Sequence, residues 1–338
     1  MIDDAGRSLT YEMLAALESD LLIAIQPFAH TRYHELNAML HYHLSLDRPA
    51  PQRGKRVRPL LTLLCCAAAN GDWRDALAGA SAIELVHNFS LIHDDIEDGS
   101  EMRRGRPALW KRVGIAQAIN SGDALFAAAR SSAHRLNEKD IPTATILEVL
   151  RVLDEACVKL TQGQFLDLHF EAAEDISQGD YLEMVSGKTA ALISAAAETG
   201  AILAGSEYET IQYYRSYGHH LGVAFQIQDD ILGIWGQVDE TGKPSRDDLR
   251  VRKKTLPVLL GLEKSSSFSQ LWKEKSAQDA DLEAMLAALD QAQVRQSATS
   301  LAESHTTQAI AALSAAAPRS TAGHALTALT EDLLYRER

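Results

Sequence analysis

Apolar residues recur three and four positions apart along most of this 338-residue chain, and runs that alternate apolar with polar are nearly absent. The pattern predicts helices over roughly 9–26, 31–45, 57–70, 73–98, 114–137, 143–172, 178–204 and 206–235. After a turn at Ser265 to Ser267 a weaker set follows, at about 268–275, 279–293, 295–314 and 320–335. Alanine and leucine, both strong helix formers, are abundant. Gly71 reads as a stop signal, and Pro142 and Pro318 stand where helix starts tolerate proline. The polar stretch Gly236 to Lys254, with Gly242, Pro244 and many charges, breaks the pattern and reads as a loop. The expected fold is all-α, a large helical bundle forming one continuous domain over 1–338. A composition shift near residue 264 is the one candidate for a subdomain edge. In such a bundle, sites are built between facing helices.

Within this frame two aspartate pairs stand out, Asp94-Asp95 and Asp229-Asp230, about 135 residues apart and each inside a strongly helical stretch. The first reads Leu91-Ile92-His93-Asp94-Asp95-Ile96-Glu97-Asp98, the second Gln226-Ile227-Gln228-Asp229-Asp230-Ile231-Leu232-Gly233. Residues three and four apart are neighbours on a helix, so Asp94 and Asp98 project from one face a turn apart. Uncompensated carboxylates packed beside Leu, Ile and Phe are too costly to be filler, so something positive must join them. Hard oxygen donors at this density suit Mg²⁺, which keeps several waters and bridges one or two carboxylates to substrate phosphates.

Composition narrows the partners. Thirty-three Lys plus Arg against forty-six Asp plus Glu give a net charge of −13, a poor basis for sequence-independent nucleic-acid binding. Cys65, Cys66 and Cys157 follow no metal-type spacing, and so sparse and odd a count points to a reducing compartment. Met1-Ile2-Asp3-Asp4 lacks the basic region and apolar core of a signal peptide. The most apolar window, Ala190 to Gly205, carries Glu198 and is too short to span a bilayer. The expectation is a cytoplasmic, soluble protein with no membrane span and no nucleic-acid partner.

Four basic clusters accompany the aspartates. Gly54-Lys55-Arg56-Val57-Arg58-Pro59 sets three cations ahead of a helix, and Arg103-Arg104-Gly105-Arg106 follows the first aspartate motif. Arginine offers a planar fork matched to phosphate oxygens and lysine a point charge, although either run alone reads more readily as solvated surface. Ser186-Gly187-Lys188-Thr189 matches the end of a phosphate-binding loop, but Leu182 stands where that motif needs glycine and the context is helical. The last is the charged loop from Lys243 through Lys253 and Lys254 to Pro257, close enough to the second aspartate pair to fold back over it. Blander readings hold elsewhere. His93 packs or caps rather than ligates, Asn88-Phe89-Ser90 matches a glycosylation acceptor by chance, and His219-His220 lacks identifiable metal partners.

The joint order is what is specific. Basic run, histidine, DDxxD, paired arginines, lysine-threonine, DDxxG and a closing lysine loop resemble the trans-isoprenyl diphosphate synthase, or polyprenyl synthetase, family from about Lys55 to Pro257. The resemblance implies an isoprenoid-synthase-type bundle around a deep central cavity, with the two aspartate motifs facing each other at its mouth. It implies that Asp94, Asp98 and Asp229 hold Mg²⁺, three ions in the family, against an allylic diphosphate. Asp95 and Asp230 complete that metal set by orienting ligands or metal-bound waters, with Asp248 behind them. Arg103, Lys188 and Lys253 grip the allylic diphosphate, and Lys243 joins on closure. Lys55, Arg58, His87 and Arg104 hold isopentenyl diphosphate, while Thr189, Gln226, Gln164 and Asp167 surround the reacting carbons. Two positions depart from the pattern: Arg252 stands where the family's closing loop carries glycine, which bears on loop geometry, and Glu97 occupies a variable position.

The implied reaction is head-to-tail condensation of an allylic diphosphate with isopentenyl diphosphate, by a chain that resembles the family's homodimers. Phe89 lies roughly 7–8 Å deeper than Asp94 along its helix, and Val86, Phe89 and Ser90 share one arc beside the carboxylate face. In the family a bulky residue five positions before the first aspartate limits elongation. The arrangement therefore resembles short-chain enzymes making geranylgeranyl diphosphate, with farnesyl or longer polyprenyl diphosphates as alternatives. Phe126 on the next helix is a second candidate wall. A class I terpene cyclase fits less well, because Gly233 and Gln237 replace its second-motif serine and glutamate and it has no use for a second diphosphate site. A non-catalytic partner subunit fits less well again, since both aspartate motifs are intact.

Overall fold

Residues 4–49, 52–236, 247–274 and 279–334 are described by a computed structural model, and they bear out the all-α expectation. Their contacts divide into two units. The first comprises Met1–Cys157, Ala195–Arg215 and Ala316–Ala328, the second Val158–Ser194, Ser216–Ala315 and Leu329–Arg338.

The first unit carries α1 (Asp4–Ile25), α2 (His34–His43), α3 (Val57–Ala68), α4 (Leu77–Glu97), α5 (Leu109–Val113) and α6 (Ile115–His134). A two-stranded hairpin, β1 (Met102–Arg103) with β2 (Arg106–Pro107), follows α4. Helix α3 is buried on nearly every side, through Leu60, Leu61, Leu63, Leu64 and Cys65 among others. Each such leucine withdrawn from water contributes roughly 1.5–3 kcal/mol, which fixes α3 as a core helix. The most extensive helix pair of this unit is α4 with α6, and both present buried small residues, Ala78, Ala80 and Ala82 on one and Ala118, Ser121 and Ala129 on the other. Ser132 Oγ ties the pair by donating to the Ala78 carbonyl at 3.0 Å.

The second unit contains α8 (Gln178–Val185), a π turn (Ser186–Ala190), the first turn of α9 (Ala191–Leu203), most of α10 (Tyr208–Trp235), α11 (Asp247–Arg250), α12 (Leu256–Lys264), α13 (Ser266–Lys273), α14 (Asp279–Gln291) and α15 (Val294–Ala315). Helices α7 (Thr143–Ala172), α9, α10 and α16 (Ser320–Leu334) contribute residues to both units. The second core gathers Tyr181, Val185, Ile227, Ile231, Val258, Phe268, Met285 and Leu289, with α12 buried from Leu256 to Gly261.

Several elements differ from the sequence-based expectation. Helix α12 was not predicted; at nine residues it is too short for a clear helical period. Pro257 sits in the first turn, where its missing N–H costs nothing. Gly261 is required by packing, since a Cβ there would lie 2.4 Å from Leu289 Cδ2. Ser265, expected as turn, caps α13 by accepting from Phe268 N at 3.2 Å. The predicted helix over 178–204 is interrupted by the π turn, and 31–45 opens as a 3₁₀ turn at Thr31–Tyr33. The hairpin and α5 were also unanticipated. No helix among the described residues is long and apolar enough to cross a membrane.

Candidate active site

In the first unit the carboxylates crowd the C-terminal end of α4. Asp94, Asp95 and Glu97 occupy its last turn, Asp98 is the C-cap, and no basic residue shares that turn. Exposed helix carbonyls already make this end partly negative, so the arrangement is electrostatically adverse without a cation. Asp94 is half-buried and Asp98 exposed. Asp95 is different: it is 1% exposed, and Arg103 Nε donates to Oδ1 and Oδ2 at 3.0 and 3.3 Å while Nη2 donates to Oδ1 at 2.5 Å. Burial pushes the Asp95 carboxyl above its usual range, and the Arg103 fork works against that shift.

The arginine motif after α4 becomes a tight hairpin. Arg104 and Gly105 both have positive φ, +52° and +71°, as a two-residue turn of matching twist requires. One short hairpin thereby fans three guanidinium groups. Arg103 reaches Asp95, Arg106 pairs with Asp47 at 3.0 Å, and Arg104 donates to His43 O at 3.2 Å and Asn88 Oδ1 at 3.3 Å.

Arg104 belongs to a second cluster. Arg58 Nη1 lies 3.2 Å from His87 Nε2, and Gly54 brings its Cα face against the Arg104 guanidinium, where a Cβ would lie 3.6 Å from Nε. Burial, and then the Arg58 charge, hold His87 well below its ordinary pKa, so it is neutral and can accept from arginine. Lys55 is exposed at the rim. The middle cation of the run, Arg56, is not available to a ligand. It is buried with φ +46° and donates to Glu84 at 2.7 Å, Glu18 at 2.9 Å and Leu44 O at 2.6 Å. Glu84 also accepts from Asn88 Nδ2 at 2.8 Å, so a chain Arg56–Glu84–Asn88–Arg104 holds the cluster from behind. Asn88 is fully buried, which rules out a glycan there. Sequence reading missed Glu84 and Asn88 as supports; their i, i+4 spacing was the available signal.

Deeper along α4, Val86 and Ser90 are buried and Phe89 is half-buried. The Phe89 ring meets His93 at 5.4 Å and Phe126 at 5.1 Å, both edge-on. Phe126 therefore does face Phe89. His93 packs as expected of it, over Gly122, where a Cβ would lie 2.3 Å from its Nε2.

In the second unit, α10 presents Asp229 exposed and Asp230 buried. Asp230 accepts from Tyr181 OH at 2.7 Å, Gln226 Nε2 at 2.9 Å and Leu256 N at 3.2 Å. Thr189 Oγ1 donates to Gln226 Oε1 at 2.8 Å, extending the network to the π turn. Lys188, beside Thr189, pairs with Asp167 at 2.5 Å. The π turn is set by two glycines in backbone contact. A Cβ on Gly163 would lie 2.1 Å from Lys188 N, and one on Gly187 2.6 Å from Lys159 O. Lys188, Thr189, Gln226, Asp230, Asp167 and Lys253 line one pocket of this unit. Gly233 of the second motif has a similar use: its missing Cβ makes room for Asp248, whose Oδ2 would otherwise lie 2.1 Å away. Arg252 keeps the left-handed backbone that a glycine would adopt, with φ +57°. Tyr181 escaped the sequence reading because nothing local links it to Asp230. Lys243 lies outside the described residues.

Each aspartate pair thus divides into an outward member and a member committed to protein donors. Asp95 and Asp230, grouped with the metal residues on the resemblance, have their oxygens occupied by Arg103 and by Tyr181, Gln226 and Leu256. Among the described residues no three carboxylate, histidine or cysteine side chains form a ready-made cage, including at His219-His220, where His220 Nδ1 meets His305 Nδ1 at 3.0 Å. Asp94 and Asp98, a turn apart at the end of α4, supply hard carboxylate oxygens of the kind Mg²⁺ takes together with water and phosphate oxygens.

The chain belongs to the polyprenyl synthetase family, whose model matches residues 35–289. It is 44% identical over 228 residues to a (2E,6E)-farnesyl diphosphate synthase of Mycobacterium tuberculosis, across 66% of this chain and 62% of that relative. The chain thus spans less than two thirds of that relative's length. Its fold matches a geranylgeranyl pyrophosphate synthetase from Pyrococcus horikoshii with TM-score 0.89 and 32% identity, covering 98% of both chains. It also matches a Caulobacter crescentus polyprenyl synthase complexed with calcium and isoprenyl diphosphate, with TM-score 0.84 and 28% identity over 99% and 98% of the chains.

Proposed function

We propose that this chain is a trans-prenyltransferase that condenses an allylic diphosphate with isopentenyl diphosphate head to tail, with geranylgeranyl diphosphate as main product. The observation that carries the reading is the grouping of Arg58 and Arg104 about neutral His87, which supports a second anion site that Lys55 completes by family resemblance. An enzyme acting on one diphosphate has no use for it. Asp94, Asp98 and Asp229 are the outward carboxylates that would hold Mg²⁺, three ions by family resemblance. When bound, such ions neutralise the diphosphate as it leaves and so favour C–O ionisation.

The chain's own residues do the rest. Lys188, Arg103, Lys253 and Lys243 grip the allylic diphosphate. Lys188 turns from Asp167 to phosphate oxygens as it does so, while Arg103 keeps Nε and Nη2 on Asp95 and offers Nη1. Thr189 Oγ1 and the Gln226 amide flank the allylic cation with oxygen dipoles. The isopentenyl double bond attacks C1 of that cation, and the proton then lost passes to the departed diphosphate. Isoleucines exposed one turn apart on α6, Ile115 at 53% and Ile119 at 42%, with Leu147 on α7 at 61%, support a homodimer. Cys65, Cys66 and Cys157 are buried and joined in no disulfide, and a cytoplasmic location is part of this proposal.

Incubating the purified chain with Mg²⁺, isopentenyl diphosphate and each short allylic primer tests the proposal. Isopentenyl incorporation ending mainly at twenty carbons is expected. Cyclic hydrocarbon from a single allylic diphosphate would indicate a cyclase instead, and turnover that depends on another chain a partner subunit.

The contact of Phe89 with Phe126 supports a cavity wall at this depth. Phe89→Ala is therefore expected to lengthen the main product by at least one isoprene unit while the enzyme stays active. An unchanged distribution in an active variant would put the limiting wall elsewhere.

A further inference from the structure

The residue before Lys253 departs from the family pattern, and its surroundings explain how the chain tolerates the departure. Arg252 has φ +57°, a backbone region that residues with a Cβ rarely adopt. Its guanidinium carbon lies 5.0 Å from the Trp272 ring centroid, and Nη1 donates to the Trp272 carbonyl. Trp272 stacks on Phe268 at 5.7 Å and 27°, and Phe268 is fully buried, so the platform is anchored in the core of the unit. Downstream the strand is also tied. Lys254 Nζ donates to the Phe170 and Glu171 carbonyls at 2.8 and 3.1 Å, and Leu256 N donates to Asp230 at 3.2 Å. Between these anchors Lys253 N donates to Asp248 O at 2.9 Å and Thr255 N to Lys253 O at 3.0 Å. Lys253 itself is exposed and lines the pocket that holds Lys188 and Thr189.

We infer that Arg252 is a positioning residue for Lys253: its latch onto Trp272 fixes the left-handed turn that presents the lysine to the allylic diphosphate. Where a glycine would leave this turn free to open, the arginine fastens it from the upstream side. The role of Lys253 rests on the functional reading above; the latch itself does not.

Arg252→Gly separates the two, because glycine accepts the same φ while losing the side chain. In the substrate-free variant, hydrogen exchange at the Lys253 amide should rise by about ten-fold or more. The KM for the allylic diphosphate should rise about five-fold, the scale of one lost cation–π contact, with the isopentenyl KM and melting temperature unmoved. Trp272→Leu, which removes the ring but keeps the carbonyl, should raise the Lys253 exchange and the allylic KM by a smaller amount with the arginine charge intact, and the double variant should be no worse than Arg252→Gly. Arg252→Lys, which keeps charge but not the planar fork, should fail to restore the wild-type values. Wild-type exchange at Lys253 in Arg252→Gly would overturn the latch. Faster exchange with an unchanged allylic KM, equal rises in both KM values, or additive single effects would overturn the positioning role. Failure of the wild-type chain to incorporate isopentenyl diphosphate would overturn the functional reading, while the exchange measurement would still decide the latch.

Discussion

Asp229→Asn is expected to lower kcat by about a thousand-fold or more, the scale seen when a preorganised transition-state contact is deleted. The melting temperature should barely change. Asp229 is exposed on α10, so its removal leaves no buried group unpaired. Asp94→Asn should behave similarly, and there the loss of a charge from the crowded end of α4 even relieves an adverse helix-dipole interaction. The damage should fall on kcat more than on KM, because charge develops on the diphosphate oxygen only as the C–O bond breaks. The neighbouring aspartate gives the contrast. Asp230 accepts from three donors, the Tyr181 hydroxyl, the Gln226 amide and the Leu256 N–H. An asparagine there turns an NH₂ toward donors, so Asp230→Asn should cost roughly 1–3 kcal/mol of stability as well as activity. Steady-state incorporation of isopentenyl diphosphate and thermal denaturation by circular dichroism distinguish the two patterns. Near-wild-type turnover in Asp229→Asn or Asp94→Asn would sink the division of the motifs into ligand and support.

That division was half legible in the sequence. The i, i+4 spacing put Asp94 and Asp98 on one face, and the resemblance marked the second member of each pair as an orienting group. Which donors occupy those second members was not legible. Arg103 is eight residues from Asp95 and reaches it through a hairpin that helical periodicity does not reveal, and Tyr181 is forty-nine residues from Asp230. The basic run Lys55-Arg56-Val57-Arg58 shows the same limit. Three cations in four positions look equivalent as text, yet the left-handed backbone of Arg56 turns its side chain inward to Glu84 and Glu18. That leaves Lys55 and Arg58 as the two cations of the run proposed for a ligand. Element type followed from periodicity almost throughout, whereas α12, at nine residues, is too short to show a clear helical period between the charged loop and the turn at Ser265.

The π turn draws its shape from two glycines that carry no chemistry of their own, which makes Gly163→Ala the second substitution with a large expected effect. The added Cβ would lie 2.1 Å from Lys188 N and 2.7 Å from Gly187 C, and both are backbone atoms that cannot rotate away. Either α7 or the π turn must shift, and over-packing of this kind costs roughly 1–3 kcal/mol. The consequence for chemistry is larger than the stability loss suggests. Lys188 and Thr189 sit on the displaced segment, and a misplacement of about 1 Å in a reacting constellation can cost on the order of a hundred-fold in rate. The lysine would keep its charge and lose its aim. Gly163→Ala should therefore melt several degrees below the wild type, by roughly 2–4 °C per kcal/mol in a chain this large. Its kcat should fall about a hundred-fold. Gly179→Ala serves as the control, since its Cβ would meet nothing nearer than Ser177 Oγ at 3.5 Å, an ordinary contact. It should be neutral in both measurements. A Gly163→Ala protein with wild-type melting and turnover would mean that the contact between α7 and the π turn yields easily, and that Lys188 is aimed by its pairing with Asp167 alone.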